Sequence, residues 1–183
     1  MLMEMGKAGL MVVDVQDKLV PAIRNGEQMG ARIRWLISAC TLLGTPILFT
    51  EQYPKGLGHT QQALTALVEQ PEVVEKMHFS AVAAQCLPDH WQDYSQIIVC
   101  GMETHVCVLQ TVLELLEQGK QVFVVADAVG SRTEENHQLG LARMRDAGAQ
   151  IVSREMVVFE LMHQSGTDTF KAISKQFLVG EQP

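Results

Sequence analysis

No apolar run in the sequence reaches the roughly 18 residues of a membrane span, so no membrane partner is expected. Nor does Met1 to Gly6 show a basic stretch followed by an apolar one, so the sequence offers no secretory signal. Basic residues are few: 14 Lys and Arg stand against 21 Asp and Glu, a net charge of −7. Phosphate backbones are bound by clustered Lys and Arg, so nucleic acid is excluded as a main partner. The sparse group Arg24, Arg32 and Arg34 reads as a solvated face. None of the four cysteines, Cys40, Cys86, Cys100 and Cys107, forms a CxxC pair, which argues against a zinc knuckle or dithiol motif. No GxGxxG or P-loop follows a strand-like run, and no Ser occupies a GxSxG elbow. Nucleotide binding and Ser–His–Asp hydrolysis therefore drop out. Free thiols and a cytoplasmic location are the expectation.

What is present is an ordinary globular composition, 47% hydrophobic and 19% charged over 183 residues. One domain spanning 1–183 suffices, and at this size folding buries roughly 70% of the unfolded surface. Short apolar runs recur: Gly9–Val15, Pro46–Thr50, Glu72–Lys76, Gln96–Cys100, Gln121–Ala126 and Gln150–Val152. Such runs fit strands buried on both faces. Helical periodicity separates several of them, at Glu27–Leu43 ended by Gly44, at Val106–Gln118 ended by Gly119, and from a Ser131–Glu134 capping box to Ala147. A tail helix from Thr167 carries Phe170, Ile173 and Phe177 on one face. Alternating strands and helices predict right-handed βαβ units, hence a parallel sheet between two helical layers, a three-layer α/β/α fold.

Ligands of such sheets bind beyond the carboxyl ends of the strands. The reactive side chains expected there are Asp14, Glu51, Gln52, Lys76, the segment Gly101–Cys107, and Asp127. Asp14 interrupts an apolar run, so it is buried and requires a partner, which Lys76 can supply. A structural ion pair and a reactive carboxylate are both open at this point. Cys107 falls in the first turn of a helix for which Thr104 is the expected N-cap. The helix dipole and a nearby lysine would both favour its thiolate. An inert core cysteine is the competing reading, and it fits Cys40, Cys86 and Cys100 better. His105 lies two residues away and points elsewhere. His59, His90, His137 and His163 read as surface.

Three pieces, Val12-Val-Asp14-Val-Gln16-Asp17, Lys76-Met-His-Phe79-Ser80-Ala81 and Gly101-Met-Glu-Thr-His-Val-Cys107-Val108, taken in this order, resemble the isochorismatase-like family of cysteine hydrolases. The likeness continues through Val124–Ala128 and Ser131-Arg132. The loop Thr50–Gly58 resembles the branch of small isochorismatase-domain-containing proteins. The resemblance implies a six-stranded Rossmann-like sheet in the order 3-2-1-4-5-6, with Asp14 beside Cys107 and Lys76 reaching in from an edge strand. It implies a cis peptide at Met102–Glu103. It further implies Cys107 as nucleophile, Asp14 as proton carrier, and Lys76 holding both in their charged forms. The N–H groups of Glu103 and Cys107 would form an oxyanion hole, and Gln16, Leu19, Tyr53 and Phe79 the pocket walls.

Family members that bind a metal use an Asp-x-His pair after strand two. Glu51-Gln52-Tyr53 with His59 departs from that pattern, so no metal and no cofactor are expected. The implied function is hydrolysis of a small amide or related C–N substrate, by a homo-oligomer (dimer or larger) in which the tail helix either forms the interface or docks on its own domain. A non-catalytic binding or assembly module and a thiol-redox protein are the alternatives. A reactive site predicts that Cys107 alkylates well below pH 8.

Overall fold

The computed structural model describes residues 1–179. Six strands form one parallel sheet: β1 (Ala8–Val13), β2 (Ile47–Gln52), β3 (Glu72–Lys76), β4 (Gln96–Met102), β5 (Gln121–Gly130) and β6 (Gln150–Val152). Their order is β3-β2-β1-β4-β5-β6, as the resemblance implied. All six residues of β1 are buried, as are all seven of β4. These are the central strands, covered on both faces, which is why their sequences run apolar without alternation.

Alternate residues serve two separate cores. Leu10, Val12, Phe49, Ile98 and Phe123 face one layer, and Met11, Val13, Leu48, Val99 and Val124 face the other. The first layer holds α1 (Gly26–Leu43), through Ile33, Leu36, Ile37 and Cys40, together with Leu64 of the short α3 (Gln62–Thr65). The second holds α4 (Leu109–Glu117) and α5 (Glu134–Asp146), through Val112, Leu115, Leu141 and Met144. Each fully buried Leu, Ile or Phe contributes about 1.5–3 kcal/mol.

The strand ends differ from the sequence expectation in ways that matter. β2 runs two residues past Thr50, so Glu51 and Gln52 belong to the strand. The loop after it contains one helical turn, α2 (Pro54–Leu57). β5 continues to Gly130 through an irregularity: pairing steps from Val99–Val124 to Gly101–Val129. Four residues of β5 thus stand against Cys100 alone, a bulge that apolar patterning cannot reveal. Asp127 lies inside this bulge rather than after the strand. Its carboxylate accepts the Arg154 backbone N–H at 2.9 Å and pairs with Arg154 Nε at 3.5 Å. Asp127 therefore anchors a helix and is not a reactive strand-end group.

That helix, α6 (Arg154–Met162), was not anticipated. Ser153 caps it by accepting from the Met156 N–H at 3.2 Å. α5 is capped by Thr133, not by Ser131, which is buried beside the site. The tail forms α7 (Asp168–Ile173) and a wide turn, Ser174–Leu178. Ile173 and Phe177 are buried in the chain's own core, and Phe177 meets Trp35 edge-on at 5.5 Å. Two of the three apolar residues of the tail thus dock at home, and Phe170 is half-buried outside this core. No described helix is long and apolar enough to cross a membrane.

Cys40 is sealed in the first core, and burial pushes its thiol up to about 12. The unfolded chain binds fewer protons than the folded one once pH passes the thiol's ordinary 9.0. Stability conferred by this group is complete below that value and falls as pH rises toward about 12, by roughly 1 kcal/mol per pH unit. Cys40→Ala is expected to flatten the alkaline fall in stability. Urea denaturation at pH 8 and pH 10.5 checks it, the constant cavity cost cancelling in the difference.

Candidate active site

The carboxyl ends of β1, β2, β3 and β4 converge because parallel strands all point one way. Register does the fine placement. Val13 lies opposite Thr50 on one side and Gly101 on the other, and Gln52 lies opposite Lys76. Gly101 has φ +114, and a Cβ there would run into the Val13 carbonyl. Glycine is what lets β4 pass β1 this closely.

Asp14 follows β1 with φ +51, a left-handed backbone. Its side chain is fully buried and fully partnered. Oδ1 accepts the Thr50 hydroxyl at 2.6 Å, and Oδ2 accepts Lys76 Nζ at 2.7 Å. Lys76 is buried as well. Its ammonium donates further to Gln52 Oε1 at 2.8 Å and to the Phe79 carbonyl at 2.9 Å, so three partners take its three protons. A buried ion pair survives only with such complete satisfaction.

Cys107 sits on a wide helical turn, Thr104–Val108, that leads into α4. The turn closes through the Val108 N–H to the Glu103 carbonyl at 3.2 Å, five residues back. The Met102–Glu103 peptide before it is cis. Glu103, not Thr104, occupies the cap position, and no side chain caps it. Thr104 turns inward, with Oγ1 3.1 Å from Nδ1 of His137. Burial holds His137 below its ordinary value, and the residue is half-buried rather than surface. His105 points away from the sulfur, to Ser131 Oγ at 3.0 Å. Glu103 Oε2 accepts from Arg132 Nε at 2.8 Å. The turn is thus pinned to the β5–α5 segment by three side chains.

Cys107 is 6% exposed. Its sulfur lies 4.0 Å from Gln52 Oε1 and feels the charges of Asp14 and Lys76. Here burial works against the resting thiolate that the resemblance implied. Burial, and then the negative charge of Asp14, push Cys107 up to about 12, and Lys76 only partly opposes them. The three protons of the ammonium go to Asp14, Gln52 and Phe79, so Lys76 favours the thiolate through its charge and not through a bond to sulfur. At neutral pH the group is a thiol beside a carboxylate, and alkylation well below pH 8 is no longer expected from the thiol by itself.

Of the expected pocket residues, Tyr53 is half exposed and lines a cavity of about 490 Å³ with Lys76, Met77, His78 and Ala84. Phe79 is 51% exposed next to it in sequence. Gln16 is fully buried and acts on the backbone: its Oε1 accepts the Gln52 N–H at 2.8 Å, and its Nε2 donates to the carbonyls of Gln52 and Gly58 at 3.1 and 2.6 Å. Leu19 packs against the α1-side core. Glu51 fastens the following loop, accepting the Thr60 N–H at 2.6 Å and bonding His59 Nδ1 at 2.9 Å. Burial works against its charge, but these two bonds outweigh it and hold Glu51 below the usual carboxylate range. Glu51 and His59 therefore satisfy each other. Among the described residues no group of three or more His, Cys, Asp or Glu side chains is placed to hold a metal.

The isochorismatase domain model matches residues 8–156. The chain belongs to the isochorismatase family. It is 38% identical to isochorismatase domain-containing protein 2A of Mus musculus over 167 residues, 91% of this chain and 80% of that protein. Among solved structures it is similar to the MAR1 ribonuclease from Caenorhabditis elegans, with 34% identity, TM-score 0.92, and coverage of 100% of this chain and 95% of that one. It is also similar to YcaC from Pseudomonas aeruginosa, solved with hexane-2,5-diol and covalent acrylamide: 25% identity, TM-score 0.86, and coverage of 97% and 92%. Within this family fold, the member of the site that sequence reasoning missed is Thr50, and Gln52 was placed at the strand end without a role. Both are uncharged, and their signal was only their place at the end of an apolar strand.

Proposed function

We propose that the chain is a cysteine hydrolase that cleaves a small amide or related C–N bond through an acyl-enzyme on Cys107. The observation that carries this reading is a buried thiol that feels the charges of a buried, fully partnered Asp14–Lys76 pair, and Lys76 also lines a cavity sized for a small molecule. Cys107 Sγ attacks the carbonyl carbon while Asp14 takes the thiol proton. The carbonyl oxygen becomes an oxyanion held by the N–H groups of Glu103 and Cys107, each donor worth about 3–4 kcal/mol in comparable sites. Asp14 then gives its proton to the leaving nitrogen and the C–N bond breaks. Water attacks the thioester, its proton passing through Asp14 to the sulfur as the C–S bond breaks. Lys76 stays protonated and fixes the carboxylate throughout.

A thiol near 12 also weighs against the redox alternative, because oxidant-sensitive cysteines are low-pKa and exposed. The ribonuclease relative keeps its name; this chain's net charge of −7 and the full engagement of Lys76 favour a small, weakly charged substrate over a polyanion. YcaC held acrylamide covalently, which makes small amide electrophiles apt reagents here. The test is a screen of small primary amides, followed by intact-mass analysis of enzyme quenched during turnover. An adduct on Cys107 that disappears with product formation is expected. Hydrolysis with no Cys107 adduct, in a chain whose Asp14→Asn variant turns over at the wild-type rate, would sink the reading.

A further inference from the structure

Gln52 is held more firmly than a half-buried glutamine needs to be. Its backbone N–H and carbonyl are both bonded by the Gln16 carboxamide, at 2.8 and 3.1 Å. Its side chain is fixed at both ends as well. Nε2 donates to the Met77 carbonyl at 2.9 Å, and Oε1 accepts from Lys76 Nζ at 2.8 Å. An ammonium can only donate and a carbonyl can only accept, so the two ends of the amide cannot be exchanged. A carboxamide oxygen has two lone pairs. Lys76 takes one, and the other faces Cys107 Sγ from 4.0 Å. A thiol is a weak donor and that separation is long, so a stronger donor displaces it readily.

We propose that Gln52 Oε1 is the acceptor for the substrate's amide N–H, and that this residue selects C–N over C–O electrophiles. The inference rests on the hydrolase reading above and adds the residue that reads the leaving group. In an attack geometry the carbonyl carbon lies about 3–3.5 Å from sulfur. A nitrogen bonded to that carbon then comes within hydrogen-bonding distance of an acceptor placed 4.0 Å from the same sulfur. The acceptor also orients the amide, turning its N–H toward Gln52 and leaving its oxygen for the amino end of the helical turn. An ester offers no N–H and leaves this lone pair unmatched.

The experiment compares alkylation of Cys107 by 2-chloroacetamide and by methyl chloroacetate, each normalised to free cysteine and read by peptide mass spectrometry. In both reactions an S–C bond forms at the methylene carbon, chloride leaves, and the thiol proton passes to Asp14; the amide N–H that Gln52 Oε1 would accept is carried on the neighbouring carbonyl carbon. Wild-type Cys107 is expected to favour the amide by about 5-fold or more, the size of one net hydrogen bond, while the half-buried Cys86 in the same sample shows no preference. Gln52→Leu is expected to bring the ratio at Cys107 down to that of free cysteine. A purely structural role for Gln52 would slow both reagents alike and leave the ratio standing, and that result overturns the proposal. An absence of amide preference in the wild type overturns it without any variant, which covers a substitution that fails to fold. Failure of the hydrolase reading looks different: Cys107 would then react with neither reagent faster than Cys86.

Discussion

Cys107→Ala is expected to lower turnover by about 10⁴-fold or more while leaving the fold in place. The size follows from the role: when a nucleophile and its base act as a unit, removing the nucleophile eliminates nearly all of the chemistry. The fold is spared because the sulfur is a minor part of its core. Met11, Val99, Val108 and Val112 are buried in the same cluster without it, and losing one thiol there costs about 1 kcal/mol. Cys107→Ser separates nucleophilicity from shape. It keeps an atom beside Asp14, but a hydroxyl gives up its proton far less readily than a thiol, so it too is expected to be nearly inactive. Turnover assays alongside thermal melts check both variants. An alanine enzyme that keeps more than about 1% of wild-type activity would show that another group carries the reaction.

The fold was legible where apolar runs are continuous. β3 and β6 have the predicted bounds, and the central strands were placed within two residues. The expectation broke down where no period exists to be read. Arg154–Met162 has Met156, Val157, Val158, Phe159, Leu161 and Met162 nearly all round its axis, yet only part of it is buried. Without one apolar face the helix has no 3.6-residue signature. The ten-residue β5 was cut short for a related reason. Ala126 and Asp127 stand in the bulge, where the alternation lapses before the chain rejoins β4 at Val129.

Asp14, Lys76 and Cys107 could be found because each is a chemically conspicuous residue after its own strand. Their electrostatics could not. Sequence shows that a cysteine lies near the start of a helix and that a lysine ends a strand. It does not show that Asp14 and Lys76 meet at 2.7 Å, with Gln52 and Phe79 taking the other ammonium protons, nor that Cys107 is buried. Burial then outweighs the helix dipole, whose contribution is at most about 2 kcal/mol. On the proposed mechanism the proton therefore stays on sulfur until Asp14 removes it, and the carboxylate, not a preformed thiolate, sets the onset of reactivity. Thr50 and Gln52 leave no charge pattern at all; Gln52 could be placed at a strand end, but its partner, and Thr50 altogether, emerge only once the β1–β2 and β2–β3 registers bring them to Asp14 and Lys76.

Lys76→Met is expected to cost about 3–5 kcal/mol of folding stability, the usual penalty for breaking a buried ion pair by removing one partner. The hydrophobic stem is replaced almost atom for atom, so packing contributes little. The loss comes from a carboxylate left in the interior with the Thr50 hydroxyl as its remaining side-chain donor, together with a Gln52 oxygen and a Phe79 carbonyl that have lost theirs. Pairing the change with Asp14→Asn removes the stranded charge. The double variant is therefore expected to be more stable than Lys76→Met by at least about 2 kcal/mol, although neither charge remains. Urea denaturation of the wild type, both single variants and the double closes the cycle. Additive effects would mean that the 2.7 Å contact carries no coupling, and that Asp14 does not depend on Lys76 for its charge. Catalysis should follow a different course: the double variant recovers stability but not turnover, because the group that carries the proton is gone.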